Sequence, residues 1–234
     1  MTTVIRDRRF FAGMSVAVAA TVAGGFAPTY YLRPLVAAPA LPLSIHVHGA
    51  LFTTWVLLFV TQTSLVAARR TDLHKRLGIG GAVLAAAMVV SGTFVAIDSA
   101  RKARPALGVL AAAPPLFVLV IPLASVVVFT ILVGLGLYYR RRAETHKRLM
   151  LLATIALLPP ALGRIRILNA VGPQAFFGVT ILFIVAIVGY DFWTRRRVYA
   201  VSVWGGLFLA LSFPGRIALG QTDAWLTFAS WLVR

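Results

Sequence analysis

The chain has 234 residues, of which 60% are hydrophobic and 12% charged, and it carries a formal net charge of +17 without a single cysteine. A soluble domain is roughly 45–50% apolar and about 25% charged, so this composition excludes most soluble classes and indicates an integral membrane protein. The missing cysteines exclude disulfides, thiolate metal sites, iron–sulfur clusters and cysteine nucleophiles. The basic residues lie between apolar runs, where the positive-inside bias accounts for them, and no nucleic-acid partner is expected.

Seven apolar segments reach, or nearly reach, the length of about 20 residues that crosses a bilayer. In chain order they are Phe10–Leu32, Ser44–Ala68, Leu77–Ile97, Leu116–Tyr139, Leu149–Ala170, Gln174–Trp193 and Val198–Phe213. Pro159 and Pro160 should kink the fifth segment, and Pro214 should end or bend the seventh. The aromatic and aliphatic tail at 221–233 is typical of an interfacial helix. We therefore predict an all-α fold, a polytopic bundle of about seven transmembrane helices in a single domain over residues 1–234.

Lysine and arginine are unevenly divided between the alternate ends of these segments. The side that includes the amino terminus carries 15 of them, and the other side carries 8. The positive-inside rule therefore predicts a cytoplasmic amino terminus, in the inner (cytoplasmic) membrane of a bacterium. The Pro/Ala-rich stretches at 33–42 and 104–115 are then predicted to be external loops.

Two of the four histidines open apolar segments within a local repeat: an acidic residue, then His, Lys, Arg and Leu. His74 opens the third segment and His146 the fifth, at the same predicted depth. Two histidines at matching positions on inward-facing helices are what a haem iron with two axial histidines requires. The dipole at a helix amino terminus disfavours an imidazolium, and a ligating imidazole must be neutral.

We therefore predict one haem b between His74 and His146. Basic neighbours in the two repeats would neutralise its propionates. These neighbours are Lys75, Arg76, Lys147 and Arg148. The alternative is that both repeats reflect only the basic composition usual at cytoplasmic helix starts, with no cofactor bound.

A second polar group is predicted at the outer ends of the second and fifth segments. His46 and His48 are two positions apart, which is about 200° on a helix, so in a helix they cannot both face one metal ion. Arg164 and Arg166 follow the proline pair at a similar level. We predict an outer polar pocket of these four residues, able to hold an anion, a quinone head group or a propionate. The alternative is that the arginines snorkel to lipid phosphates.

Three histidine motifs over residues 44–168 resemble those of known membrane-protein families. They read His-Val-His-Gly, His-Lys-Arg-Leu-Gly and His-Lys-Arg-Leu-Met, each at the start of an apolar segment. This layout resembles an uncharacterised bacterial family of multi-pass proteins, described only as a domain of unknown function. It is also distantly similar to the transmembrane di-haem cytochromes b that act as ascorbate-dependent ferric reductases.

The resemblance implies that His74 and His146 pair around one haem, and that His46 or His48 opens the first core helix. In the cytochromes a second pair would involve the fourth segment, but residues 115–139 contain no histidine. The resemblance therefore implies at most one haem, near the cytoplasmic face.

Two functions follow from these observations. The first is a membrane oxidoreductase or electron carrier that uses one haem b and a quinone or a partner protein. The second is a non-redox seven-helix protein, a small-molecule transporter or a sensor, without a cofactor. The two halves of the chain lack the matching Gly/Pro interruptions of inverted-repeat transporters. No Gly-x-Ser-x-Gly motif supports a hydrolase.

Overall fold

The structure is a computed structural model, and it describes residues 3–35, 39–102 and 113–234. The predicted external loop at 104–115 lies mostly outside the described residues, as do residues 36–38 of the first loop. Within the described ranges the chain is helical and contains no strand. The helices are α1 (Thr3–Phe26), α2 (Leu43–Ala67), α3 (Thr71–Arg101), α4 (Pro115–Tyr138), α5 (Ala143–Ile155), α6 (Pro159–Leu162), α7 (Arg166–Val171), α8 (Pro173–Arg195), α9 (Ala200–Gly220) and α10 (Asp223–Leu232).

Six of the described helices, namely α1, α2, α3, α4, α8 and α9, are long and apolar enough to cross a membrane. Large apolar side chains cover their outer surfaces. On α3, Ile79, Val83, Val90 and Phe94 are between 57% and 73% exposed, and their spacing puts them on one face of the helix. An apolar face of this extent is stable against lipid rather than water. The chain is therefore an all-α, multi-pass membrane protein.

The predicted fifth span is a broken segment rather than one continuous helix. α5 ends at Ile155, a turn follows, and α6 begins at Pro159 and contains only four residues. Pro159 and Pro160 have no N–H to donate, and their rings collide with the preceding turn of a helix. The prolines therefore interrupt the segment, and α7 resumes only at Arg166.

This broken segment still runs from one face of the bundle to the other, alongside α1. Lys147 Nζ lies 2.8 Å from Asp7 Oδ2 at the start of α1, and Ala161 in α6 lies against Gly25 at its end. The segment also forms the centre of the core, where residues 151–156 and Leu158 are almost completely buried. It is a seventh crossing element that is shielded by the other helices.

The predicted seventh span, Val198–Phe213, is too short, because Pro214 does not end the helix and α9 continues through it to Gly220. Proline fixes its own φ near the helical value and removes only one N–H, which transmembrane helices tolerate where neighbours pack closely. Here α4 and α8 both pack against α9.

α10 lies within the tail predicted to be interfacial, at 221–233. Trp225 and Ala229 are buried, and the Trp225 indole N–H donates to the carbonyl oxygen of Leu116 in α4 at 2.8 Å. Phe228 and Trp231 remain exposed.

The alternating directions of the crossing elements define two faces. The amino-terminal face contains the starts of α1, α3, α5 and α9 and the ends of α2, α4 and α8. The opposite face contains the other ends of these elements, together with α10.

Candidate functional site

His74 and His146 lie side by side on the amino-terminal face. His74 is in the first turn of α3 and His146 in the first turn of α5, and α4 packs against both helices. The ring centroids are 6.1 Å apart, and the ring planes are nearly perpendicular, at 83°. Both side chains are half-buried. The fold therefore brings together the two histidines of the sequence repeat.

The surroundings of the two rings differ. His146 Nδ1 lies 2.8 Å from the carbonyl oxygen of Gly136 in α4. A carbonyl oxygen only accepts, so Nδ1 of the neutral ring carries the proton and the lone pair of Nε2 stays available to a ligand. His74 Nδ1 is buried, and within the described ranges it has no hydrogen-bond partner.

Gly136 allows α4 to approach α5 closely at this level. A Cβ at Gly136 would lie 2.8 Å from Met150 Sδ, closer than side chains normally pack. The His146 contact with the Gly136 carbonyl therefore depends on a short distance between the two helices.

The four basic residues of the repeats separate into two pairs. Lys75 and Arg76 are exposed beside His74 and form no hydrogen bond or ion pair with any described residue. Lys147 and Arg148 instead bind carboxylates deeper in the bundle. Of the four side chains predicted to meet propionates, two are accessible and two are already paired.

Arg148 is the centre of a buried ion pair that sequence reasoning did not anticipate. Its guanidinium binds the Asp191 carboxylate of α8 through Nε and Nη2, and both side chains are completely buried. The Ser202 hydroxyl of α9 donates to the same carboxylate at 2.5 Å. Arg148 Nη1 also binds Glu144 Oε2 at 2.7 Å.

A second part of this network joins α1 to α5 and α8. Asp7 accepts from Lys147 at 2.8 Å, from the Tyr190 hydroxyl at 2.6 Å and from Arg195. Lys147 also lies 2.8 Å from Glu144. We call the whole set the ion network, and it consists of Asp7, Glu144, Lys147, Arg148, Tyr190, Asp191, Arg195 and Ser202.

Glu144 joins the two parts of the ion network at the edge of the bundle. Partial burial raises the pKa of its carboxyl, but hydrogen bonds from Lys147 and Arg148 lower it by more. The net pKa is therefore below the ordinary value, and the carboxylate is ionised at neutral pH.

The four residues of the predicted outer pocket differ in their burial. His48 faces inward, with Nδ1 3.2 Å from the Ser91 hydroxyl and its ring 4.2 Å from that of Phe52. Arg164 is half-buried, and its Nη1 donates to the carbonyl oxygen of Pro160 at 2.6 Å.

His46 and Arg166 are exposed. The helix continues through His46 and His48, so the two rings diverge, as a helical geometry requires. Arg166 follows the break after α6 and lies on a different short helix from the one before Arg164. Of the four residues predicted for the outer pocket, His48 and Arg164 are therefore half-buried, and His46 and Arg166 are exposed.

No group of three or more His, Asp or Glu side chains that could hold a metal ion occurs in the described part of the chain. No protein-family model matches the chain, and comparisons with curated proteins and with solved structures gave no significant match.

Proposed function

We propose that this multi-pass membrane protein binds one haem b between His74 and His146 and uses it to pass electrons. The observation that carries the proposal is the approach of the two imidazole rings to 6.1 Å between centroids. A metal–imidazole bond is about 2 Å long and the nitrogen lies about 1 Å from the ring centre, so two axial imidazoles on one metal have centroids about 6 Å apart. The observed spacing fits this arrangement.

The number of available ligands favours haem over a bare metal ion. A structural zinc ion takes four protein ligands, and no group of three or more ligating side chains is found in the described ranges. A haem iron receives four nitrogens from its macrocycle, and two axial histidines complete its coordination. Two histidines without a third ligand therefore fit a haem. A bound haem would supply one-electron transfer.

The chain's own residues have defined roles in this proposal. The Gly136 carbonyl oxygen, which accepts from His146 Nδ1, fixes the tautomer and the orientation of that ring, as partners of ligating histidines commonly do. Lys75 and Arg76 lie next to His74 and are exposed, so they are the residues left to meet propionate carboxylates. Lys147 and Arg148 stabilise the fold instead.

The electron partner is proposed to act at the amino-terminal face. Ser91, which contacts His48 near the opposite face, is seventeen helical steps from His74 along α3. At 1.5 Å per step this is about 26 Å, so one haem near His74 does not reach His48. A quinone head group or a partner protein that approaches Lys75 and Arg76 is the proposed partner, in the inner membrane of a bacterium.

The test is the visible spectrum of the protein purified from haem-replete cells. The wild-type protein should give a reduced-minus-oxidised haem difference spectrum, and His74→Ala and His146→Ala should each abolish it. His46→Ala is the matched control, because this histidine is exposed and lies on the other face. It should leave the spectrum unchanged.

Thermal unfolding of each variant in detergent distinguishes loss of haem from loss of fold. Colourless wild-type protein would contradict the proposal and would favour a non-redox membrane protein without a cofactor. An unchanged spectrum in both His74→Ala and His146→Ala would contradict the assignment of the ligands.

A further inference from the structure

Arg216 is a buried cation in α9, on the side of the bundle away from the ion network. Its side chain is only 4% exposed. Nη1 donates to the Ser125 hydroxyl of α4 at 2.8 Å, and Nη2 donates to the Ser212 hydroxyl at 3.1 Å. Nε is buried and has no hydrogen-bond partner among the described residues.

No carboxylate compensates this charge. The sequence has six acidic residues, and all of them lie in the described ranges. The ion network holds three of them, and Asp72 and Asp98 pair with Arg70 and Lys102. Asp223 is exposed at the start of α10. None of the six lies within ion-pair distance of Arg216.

The two serines satisfy the guanidinium only as dipoles. The Ser125 hydroxyl donates to the carbonyl oxygen of Ile121 at 2.9 Å, and the Ser212 hydroxyl donates to that of Leu209 at 2.6 Å. Their oxygen atoms are thus turned to accept from Arg216, but they carry no formal charge. Arginine keeps its proton under all ordinary conditions, and an uncompensated charge within a membrane bundle is costly and typically marks a ligand site.

The position of Arg216 along α9 indicates the depth in the membrane at which a ligand would bind. It is four residues before Gly220 at the end of α9, about 6 Å along the helix axis. A cleft of about 470 Å³ opens at that end, lined by Pro114, Phe117, Gly220 and Leu226 among others. This cleft is apolar, and Arg216 lies one turn below it, as expected for a site at the level of lipid head groups.

We propose that Arg216 binds a phosphate oxyanion at the interface of α4 and α9. The planar guanidinium matches the geometry of a phosphate group, and the free Nε–H is the donor left for it. The phosphate is either the head group of an anionic phospholipid or a free phosphate ion. This inference is independent of haem binding, because it involves different residues and the other face.

The test is the midpoint of thermal unfolding in a neutral detergent with and without each source of phosphate. One arm adds phosphatidylglycerol, and the other adds inorganic phosphate, with sodium chloride at equal ionic strength as the reference. Wild-type protein should gain about 5 °C at saturation in at least one arm. A gain with the lipid alone identifies a head group as the ligand, and a gain with inorganic phosphate identifies the free ion.

Arg216→Gln should lose this gain and, without phosphate, should be at least as stable as wild type because a buried charge is removed. Arg166→Gln is the matched control, since Arg166 is exposed on the same face, and it should keep the full gain. If Arg216→Gln does not fold, Arg216→Lys replaces it and should lose at least half of the gain, because lysine lacks the planar fork.

Two results would overturn the proposal. They are no gain for wild type in either arm, or an equal gain in wild type and in the Arg216 variant that is tested.

Discussion

Arg148 and Asp191 form a completely buried ion pair between α5 and α8. Taking two charges out of water is expensive, and their attraction offsets this cost only when the remaining polar atoms are also bound. Here Ser202 and Glu144 provide those additional bonds. The pair, together with Ser202, therefore fixes the relative position of α5, α8 and α9. If either Arg148 or Asp191 loses its charge, the other charge is left buried without its main partner.

Asp191→Asn should destabilise the protein by about 3 kcal/mol, because it leaves the Arg148 charge buried with only Glu144 as its partner. Asp223→Asn serves as the control, since Asp223 is exposed, and it should change the free energy of unfolding by less than about 0.5 kcal/mol. Denaturant unfolding of both variants in detergent measures the difference. Equal stabilities would show that the buried pair contributes nothing.

α1 packs against the short helix α6 through direct contact between main chains. A Cβ at Gly25 would lie 2.8 Å from the Cα of Ala161 and closer still to its carbonyl oxygen, whereas a Cβ at the adjacent Gly24 would meet nothing within 4 Å. Small residues of this kind allow transmembrane helices to approach closely. The prolines that interrupt the fifth segment thus place the carbonyl group of Ala161 against α1, at a position where α1 can hold only glycine.

Gly25→Ala should therefore force α1 and α6 apart and destabilise the protein by about 1–3 kcal/mol, the usual range for overpacking. Gly24→Ala should be neutral or stabilising by up to about 1 kcal/mol, because alanine is the better helix former. Thermal unfolding of the two variants compares adjacent positions with the same chemical change. A similar effect at both positions would contradict the close contact of α1 with α6.

The bundle distributes its charges unevenly between its two faces. Three of its four buried or half-buried carboxylates, those of Asp7, Glu144 and Asp191, lie at the amino-terminal face within the ion network, and Asp98 lies near the end of α3 at the opposite face. The opposite face also holds two inward-facing arginines, Arg164 and Arg216, and neither forms an ion pair with a described residue. The positive-inside rule counts only lysine and arginine, and their 15 to 8 division predicts that the amino-terminal face is cytoplasmic.

The absence of cysteine allows this orientation to be measured directly with single-cysteine variants in intact cells. Arg141→Cys and Arg197→Cys, on the amino-terminal face, should resist a membrane-impermeant maleimide until the cells are opened. Ala40→Cys and Ala224→Cys, on the opposite face, should react at once. All four positions are exposed, so accessibility depends only on the side of the membrane. The reverse pattern would show that the predicted orientation is wrong.

Several features of the fold could be predicted from local sequence. Runs of about 20 apolar residues cannot remain in water, and a helix is the conformation that satisfies their backbone in lipid. Six spans were therefore located without knowledge of any contact, as was the disturbance at Pro159 and Pro160. The repeat around His74 and His146 also identified the two histidines that lie together, because both were expected at the same depth.

Other features depended on how the helices are rotated and packed. Lys147 and Arg148 follow His146 directly, yet the rotation of α5 points them at Asp7 and Asp191, which are far away in the sequence. His48 and Arg164 face inward, whereas His46 and Arg166 do not. The hydropathy of the local sequence determines how deep a residue lies in the membrane, because it determines whether that segment is better solvated by lipid or by water. The direction in which a side chain points, and hence its partner, is set by contacts between distant helices, which only the assembled bundle contains.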